Sequence, residues 1–398
     1  MNPNQHDLTL RPITGPDELG LFNRLPYVLN DEVGDDLAAG RRRPEWLWLA
    51  LRGDRVAARA GWWSRPGDPH PLLMDIFDID GAPDDGVRLL KTALAAVVPA
   101  GETPPEYGRF LPPDWREHPS TRQAVEGRMA ALERVGAKLF VERLRLEWRP
   151  GTPVAGLSGR LVFRPVRDPG ELIELMTLVL DGTLDAHSRD ELTRMTPGEA
   201  AREQYHGELE RYASPHEWWR IATLPGGEPV GFVIPAHNGY NPIIAYLGVV
   251  PAHRGRGYVH DVLAAGTSLL AAQDVPRIRA ATDVGNAPMA AAFARAGYVT
   301  FERQIDMTWL TGRGGLPGRR DRGAQPGGRS ERDPRPPYGP GRRLARPVSG
   351  GLCHDEAPRV DWRITSDGAI SIRWAGDRSP RMRVWSSRTA SSAMSWIG

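Results

Sequence analysis

Residues 243 to 270 run as an apolar stretch, a tight basic glycine turn and a second largely apolar stretch. That order, strand then turn then helix, fits a mixed α/β sheet better than an all-helical or all-strand fold. The strand run Ile243 to Val250 ends at Pro251, and Gly255 and Gly257 let the backbone turn its N–H groups inward. A helix starting near Tyr258 adds the positive end of its dipole to that turn. An anionic ligand such as a pyrophosphate is expected there.

Two common phosphate-binding patterns are absent. A Rossmann turn wants Gly-x-Gly-x-x-Gly followed by an acidic residue after the next strand, and a P-loop wants Gly-Lys-Ser/Thr. The stretch instead resembles motif A of the GNAT acyltransferase superfamily, Val-x-Pro-x-x-Arg-Gly-x-Gly-x-Gly/Ala, through Val249, Pro251, Arg254, Gly255 and Gly257; Val259 stands in place of the last small residue. Asp283 to Tyr298 resembles motif B, with Asn286 at a strand end, a short helix, and Gly297-Tyr298 opening the next strand. The resemblance runs from about Leu161 to Trp309 and implies acyl-CoA binding.

At 398 residues the chain is long for one domain and comfortable for two. The single cysteine, Cys353, excludes internal disulfides and a cysteine-based metal site, and no metal is expected. The opening Met-Asn-Pro-Asn-Gln-His-Asp has neither a basic nor an apolar leader region, and no later run is apolar over a membrane-spanning length. A soluble cytoplasmic protein without a membrane partner is expected. The formal charge of +2 is unevenly spread: Thr311 onward holds 17 Arg against 8 acidic residues, leaving 34 basic and 41 acidic groups in residues 1–310. Nucleic-acid binding by that acidic part is disfavoured, because phosphate neutralisation needs a basic face.

An internal repeat marks the edges of two segments. Leu8-Thr-Leu-Arg-Pro-Ile-Thr-Gly-Pro-Asp-Glu-Leu19 echoes Leu161-Val-Phe-Arg-Pro-Val-Arg-Asp-Pro-Gly-Glu-Leu172, and Arg134 to Trp148 echoes Arg295 to Trp309 with the same spacing. The fold expected is therefore two tandem GNAT-like α/β domains with mixed sheets, 1–150 and 158–310, followed by a Gly/Pro/Arg-rich tail over 311–398. In the first copy Trp46 to Ala50, Val56 to Trp63 and Leu72 to Ile79 read as strands. Where the second copy has its Arg-Gly turn, the first offers Asp78-Ile-Asp80-Gly-Ala-Pro-Asp84-Asp85-Gly86, which would set carboxylates against a pyrophosphate. Loss of CoA binding by the first copy is the consequence. Asp75, Asp78, Asp80, Asp84 and Asp85 do not follow calcium-loop spacing and read as solvated turn carboxylates. The tail lacks apolar periodicity and is expected to be disordered, with a hairpin conceivable over Val360 to Thr365 and Ala369 to Trp374. Its arginines offer RNA or an acidic partner a site, against the blander reading of an appended stretch.

The resemblance also implies roles. The Leu247 N–H would face the acetyl carbonyl as oxyanion donor, and Val249 would pair with the pantetheine amides. Backbone N–H groups of Arg254, Gly255, Arg256, Gly257, Tyr258, Val259 and His260 would wrap the pyrophosphate, with the Arg254 and Arg256 side chains as nearby cations and Asn286 holding the pantetheine end. Phe293 occupies the position of the tyrosine that many relatives use to protonate the leaving thiolate, so Tyr298 and Tyr246 are the substitutes; both also read as core aromatics. No carboxylate stands at Ile243 and Ile244, which leaves Glu217, His237, Asp181, Asp185 or a water relay as base. Asp181 and Asp185 also suit attraction of a cationic amine, or helix capping. The function expected is an N-acetyltransferase using acetyl-CoA and a small-molecule primary amine. An acyl-CoA-binding regulatory module without turnover is the alternative, and neither the acceptor nor the oligomeric state can be read from the residues.

Overall fold

The computed structural model describes residues 8–309, 360–364 and 370–374. The repeat seen in the sequence recurs as repeated hydrogen bonding. In β1 (Leu8–Pro12) Arg11 donates through both guanidinium nitrogens to Glu18 at 2.6 and 2.8 Å; in β7 (Val162–Pro165) Arg164 does so to Glu171 at 2.5 and 3.0 Å. The N–H groups of Thr14 and Arg167 bind the same carboxylates at 2.7 and 3.0 Å. Both turns are thus fixed by one charge-assisted network.

The N-terminal half continues with α1 (Leu19–Phe22), α2 (Val33–Ala38), β2 (Leu47–Arg52), β3 (Arg55–Trp63), β4 (Leu73–Ile79), α3 (Pro83–Val97), β5 (Tyr107–Leu111), α4 (Pro119–Glu133) and β6 (Ala137–Trp148). The C-terminal half follows the same plan through α5 (Pro169–Val179), α6 (Ala186–Glu191), α7 (Pro197–Gly207), β8 (Arg220–Thr223), β9 (Pro229–His237), β10 (Pro242–Val249), α8 (Tyr258–Ala271), β11 (Ile278–Asp283), α9 (Ala287–Arg295) and β12 (Val299–Trp309). The three strands expected in the first half and the strand and helix expected around the Arg-Gly turn are all present. The apolar runs bury against helices: Val87, Leu90 and Val97 of α3 join Trp62, Phe77 and Tyr107 in one core, and α8 supplies Val262, Leu263 and Leu270 to another.

Strands β1 to β12 form one sheet in the order β1-β2-β3-β4-β5-β12-β6-β11-β10-β9-β8-β7. The closing strands are exchanged. β12 lies between β5 and β6, and β6 between β12 and β11, so each half takes its last neighbour from the other half.

Within each half the pair of parallel strands touches at one register position, Met74 with Tyr107 and Ile243 with Arg279, and then diverges. In the first half charged side chains cross the gap. Asp78, four residues beyond Met74, binds Arg109 of β5 and Arg59 of β3, each at 2.9 Å, and Arg109 lies 3.3 Å from the Tyr27 ring centroid. Burial alone would raise the Asp78 carboxyl; Arg109, Arg59 and Arg128 outweigh it and hold it below the usual range. This corrects the expectation of solvated carboxylates. Asp75 is buried against Arg42 at 2.5 Å and Asp85 against Arg52 at 2.7 Å, and only Asp80 and Asp84 are exposed.

Val360–Ile364 and Ile370–Trp374 form an antiparallel pair of strands, β13 and β14, at the place where a hairpin was conceivable. The rest of the Gly/Pro/Arg-rich tail, with Cys353 and the expected disorder and RNA contacts, lies outside the described residues. Among the described residues no helix is long and apolar enough to cross a membrane.

Candidate active site

In the second half the gap between β10 and β11 is open. A cavity of about 380 Å³ lies beside the diverging end of β10, bounded by Tyr246 to Val249 of β10, by the turn that follows, by the start of α9, and by the segment joining α5 to α6. Ala245 is skipped in the β9–β10 register, and this bulge re-aims the following residues of β10.

The turn is built as the glycine spacing demands. A single 3-10 turn, Pro251–His253, ends β10's path, and Gly255 and Gly257 take φ of 75° and 76°, a region that other residues enter only with strain. Gly257 is the N-cap of α8 and no side chain caps that helix, so the Tyr258 and Val259 N–H groups are available to an anion from the cavity side.

Eight of the expected cofactor-binding residues line the cavity: Leu247, Val249, Arg254, Gly255, Gly257, Tyr258, Val259 and Asn286. Arg256 and His260 do not. Arg256 is exposed and accepts from Arg160 at its carbonyl, while His260 is half-buried and its N–H donates to the Gly257 carbonyl at 3.2 Å. The Arg254 side chain has a use beyond charge. Its guanidinium donates to the carbonyls of Val249 (3.0 Å), Asp181 (2.6 Å) and Val179 (2.7 Å), tying the wall after α5 to the end of β10. Asn286 caps α9 through its side-chain oxygen, which accepts from the Met289 N–H at 3.3 Å, so its amide group is the part left to meet a ligand.

Of the two tyrosines, Tyr246 lines the cavity. Burial, then the charges of Asp185 and Glu191, push its phenol well above the ordinary range, so it keeps its proton. Tyr298 does not line it, which corrects its candidacy: its hydroxyl is buried at 2.9 Å from that of Thr267 and its ring packs edge-on against Phe293. Among the acidic candidates only Asp185 faces the cavity. Its Oδ1 caps α6 by accepting from the Ser188 N–H at 2.8 Å, and its Oδ2 is buried without a hydrogen-bond partner. Asp181, Glu217 and His237 are exposed and lie outside the cavity lining. His253, which the sequence did not single out, lines the cavity with its Nδ1 buried and unpartnered while its Nε2 meets Glu228 at 3.0 Å. The only available signal was its place inside the turn motif.

A protein-family model described as an acetyltransferase (GNAT) domain matches residues 160–299. This segment is similar to GNAT acetyltransferase domains. Its cavity lies where the two GNAT motifs meet, and the first half repeats its strand and helix order in a tandem GNAT-like fold. Similar solved structures include a GCN5-related N-acetyltransferase from Sphaerobacter thermophilus, 14% identical over 76% of this chain and 95% of that one, with a TM-score of 0.49. A tandem GNAT protein from the clavulanic acid biosynthesis pathway is 16% identical over 76% of this chain and 98% of that one, with a TM-score of 0.44. A GCN5-related N-acetyltransferase from Kribbella flavida is 12% identical over 64% and 88%, with a TM-score of 0.41. No curated protein matches the chain. The GNAT domain supports acyl transfer as the general activity.

Proposed function

We propose that the chain transfers an acetyl group from acetyl-CoA to a primary amine of a small molecule, using the C-terminal GNAT domain, and that the N-terminal copy has a structural role. The observation that carries this reading is the open gap between β10 and β11, ending on the uncapped start of α8. Acetyl-CoA suits it: the Gly255 to Val259 backbone would hold the pyrophosphate, Val249 the pantetheine amides, and the Leu247 N–H the thioester oxygen.

Asp185 is suited to anchor the incoming ammonium and take its proton, since a buried carboxylate oxygen without a partner is a strong acceptor. The amine nitrogen then bonds to the acetyl carbon as the carbon–sulfur bond breaks, and the second proton of that nitrogen passes to the departing thiolate, with the neutral Tyr246 hydroxyl suited to hydrogen-bond the sulfur. Positioning supplies most of the rate, because the thioester is already activated. The N-terminal copy lacks such a gap where Asp78 and Arg109 bridge it. A binding module without turnover is the second reading, favoured by Phe293 standing where many relatives carry a tyrosine.

Calorimetric titration of the full chain with acetyl-CoA, beside an Arg254→Glu/Gly257→Glu variant, tests the binding step. One-to-one binding lost in the variant supports the reading, and absence of binding by folded protein overturns it. Turnover of amine panels, including polyamines and aminoglycosides, separates enzyme from binding module.

A further inference from the structure

The seam where the closing strands are exchanged brings three metal-binding side chains together from three distant segments. Glu106 precedes β5 in the first half, His187 sits on α6 in the second, and Asp306 lies on β12. One ligand atom from each lies within 4.8 Å of the others, and His187 Nε2 stands 3.3 Å from Glu106 Oε1. The His187 ring is oriented by edge-on packing against Phe140, with centroids 4.9 Å apart.

A second observation points to a missing cation. Asp306 is fully buried; its Oδ1 accepts from Gln304 at 2.8 Å, but its Oδ2 has no hydrogen-bond partner. A buried carboxylate oxygen in that state is costly and is normally satisfied by a donor or a metal. The guanidinium nearest this cluster, Arg143, has its Nε 3.2 Å from Asp283 Oδ1 but hydrogen-bonds through neither Nε nor Nη2.

We infer that Glu106, His187 and Asp306 form a divalent transition-metal site that clamps the two halves of the chain at their exchanged strands. One imidazole and two carboxylates suit Zn²⁺, whose bonds of about 2.0–2.2 Å require the three atoms to close by roughly an ångström, within reach of small side-chain rotations. The fourth position falls to water. Ser188 and Asp185, on the same short segment as His187, line the acyl cavity, so metal occupancy also fixes one wall of that cavity.

The test uses the full chain stripped with chelator and titrated with Zn²⁺. One tightly bound equivalent and a melting temperature raised by several degrees are expected, and Glu106→Gln and His187→Gln each lose both effects while keeping the wild-type circular dichroism. X-ray absorption on one-equivalent Zn²⁺ protein reads the ligands without any variant: one imidazole with oxygen neighbours is expected. Sulfur, which would mean Cys353, or two or more imidazoles would overturn the site. So would no tight binding by wild-type protein, or unchanged binding in His187→Gln.

Discussion

Asp78 reaches from β4 to Arg109 on β5 at 2.9 Å, closing in the first half the gap that stands open beside Leu247 in the second. Counted from the single residue pair that joins each set of parallel strands, Asp78 and Leu247 hold matching places. One position thus carries a carboxylate that locks the gap, or an apolar residue whose backbone lines it. Asp78→Ala leaves Arg59 and Arg109 buried without their partner, and a loss of about 3–5 kcal/mol is expected in denaturant unfolding. Acetyl-CoA affinity of the folded variant stays within twofold of wild type.

Asp185→Asn keeps the shape of the α6 cap but removes a proton acceptor. A fall in kcat of about 10²–10³-fold with unchanged acetyl-CoA affinity is expected, read by steady-state kinetics beside calorimetry. Equal activity of the variant would move the base elsewhere.

Arg254→Lys keeps the charge and loses the planar fork that serves three carbonyls at once. Faster amide exchange over residues 180–185 is expected, with acetyl-CoA affinity reduced roughly tenfold, about 1.4 kcal/mol. Were charge alone the role of Arg254, the lysine variant would bind as wild type.

The Arg164 hydrogen bond, against a smaller cost of burial and with help from Arg167, holds the Glu171 carboxyl down at about 2. A carboxyl depressed on folding stabilises the protein above its ordinary range, and that contribution is lost as pH falls through that range towards 2. Glu171→Gln should therefore melt below wild type at pH 7, with the two melting curves converging in acid. Parallel curves from pH 7 to pH 2 would contradict the assignment. Glu18, held at about 2 by Arg11 in the matching turn, is expected to behave alike.

Local signals were legible in the sequence. The Arg-Gly turn, the strand before it and the helix after it follow from glycine placement and apolar runs, and the paired Arg-Pro starts at Arg11 and Arg164 announced the repeat. Long-range pairing was not. The exchange of β6 and β12 depends on which of several similar strands wins an edge far away in sequence, which no local period encodes. Burial of Asp75 and Asp78 was hidden for the same reason, since Arg42, Arg59 and Arg109 stand 33, 19 and 31 residues away in sequence. Asp185 was noticed as a carboxylate, but its selection over Asp181 needed the cavity wall.

The exchanged strands bear on how the chain is made. β5 cannot meet its neighbour β12 until residue 309 has been synthesised, about 160 residues after β6 is complete. At about 5–20 residues per second the first half waits roughly ten to thirty seconds with the edge of β5 uncovered. An uncovered edge is a template for wrong pairing with another nascent chain. Separating the halves, or slowing translation between them, therefore exposes the protein to aggregation during its own synthesis.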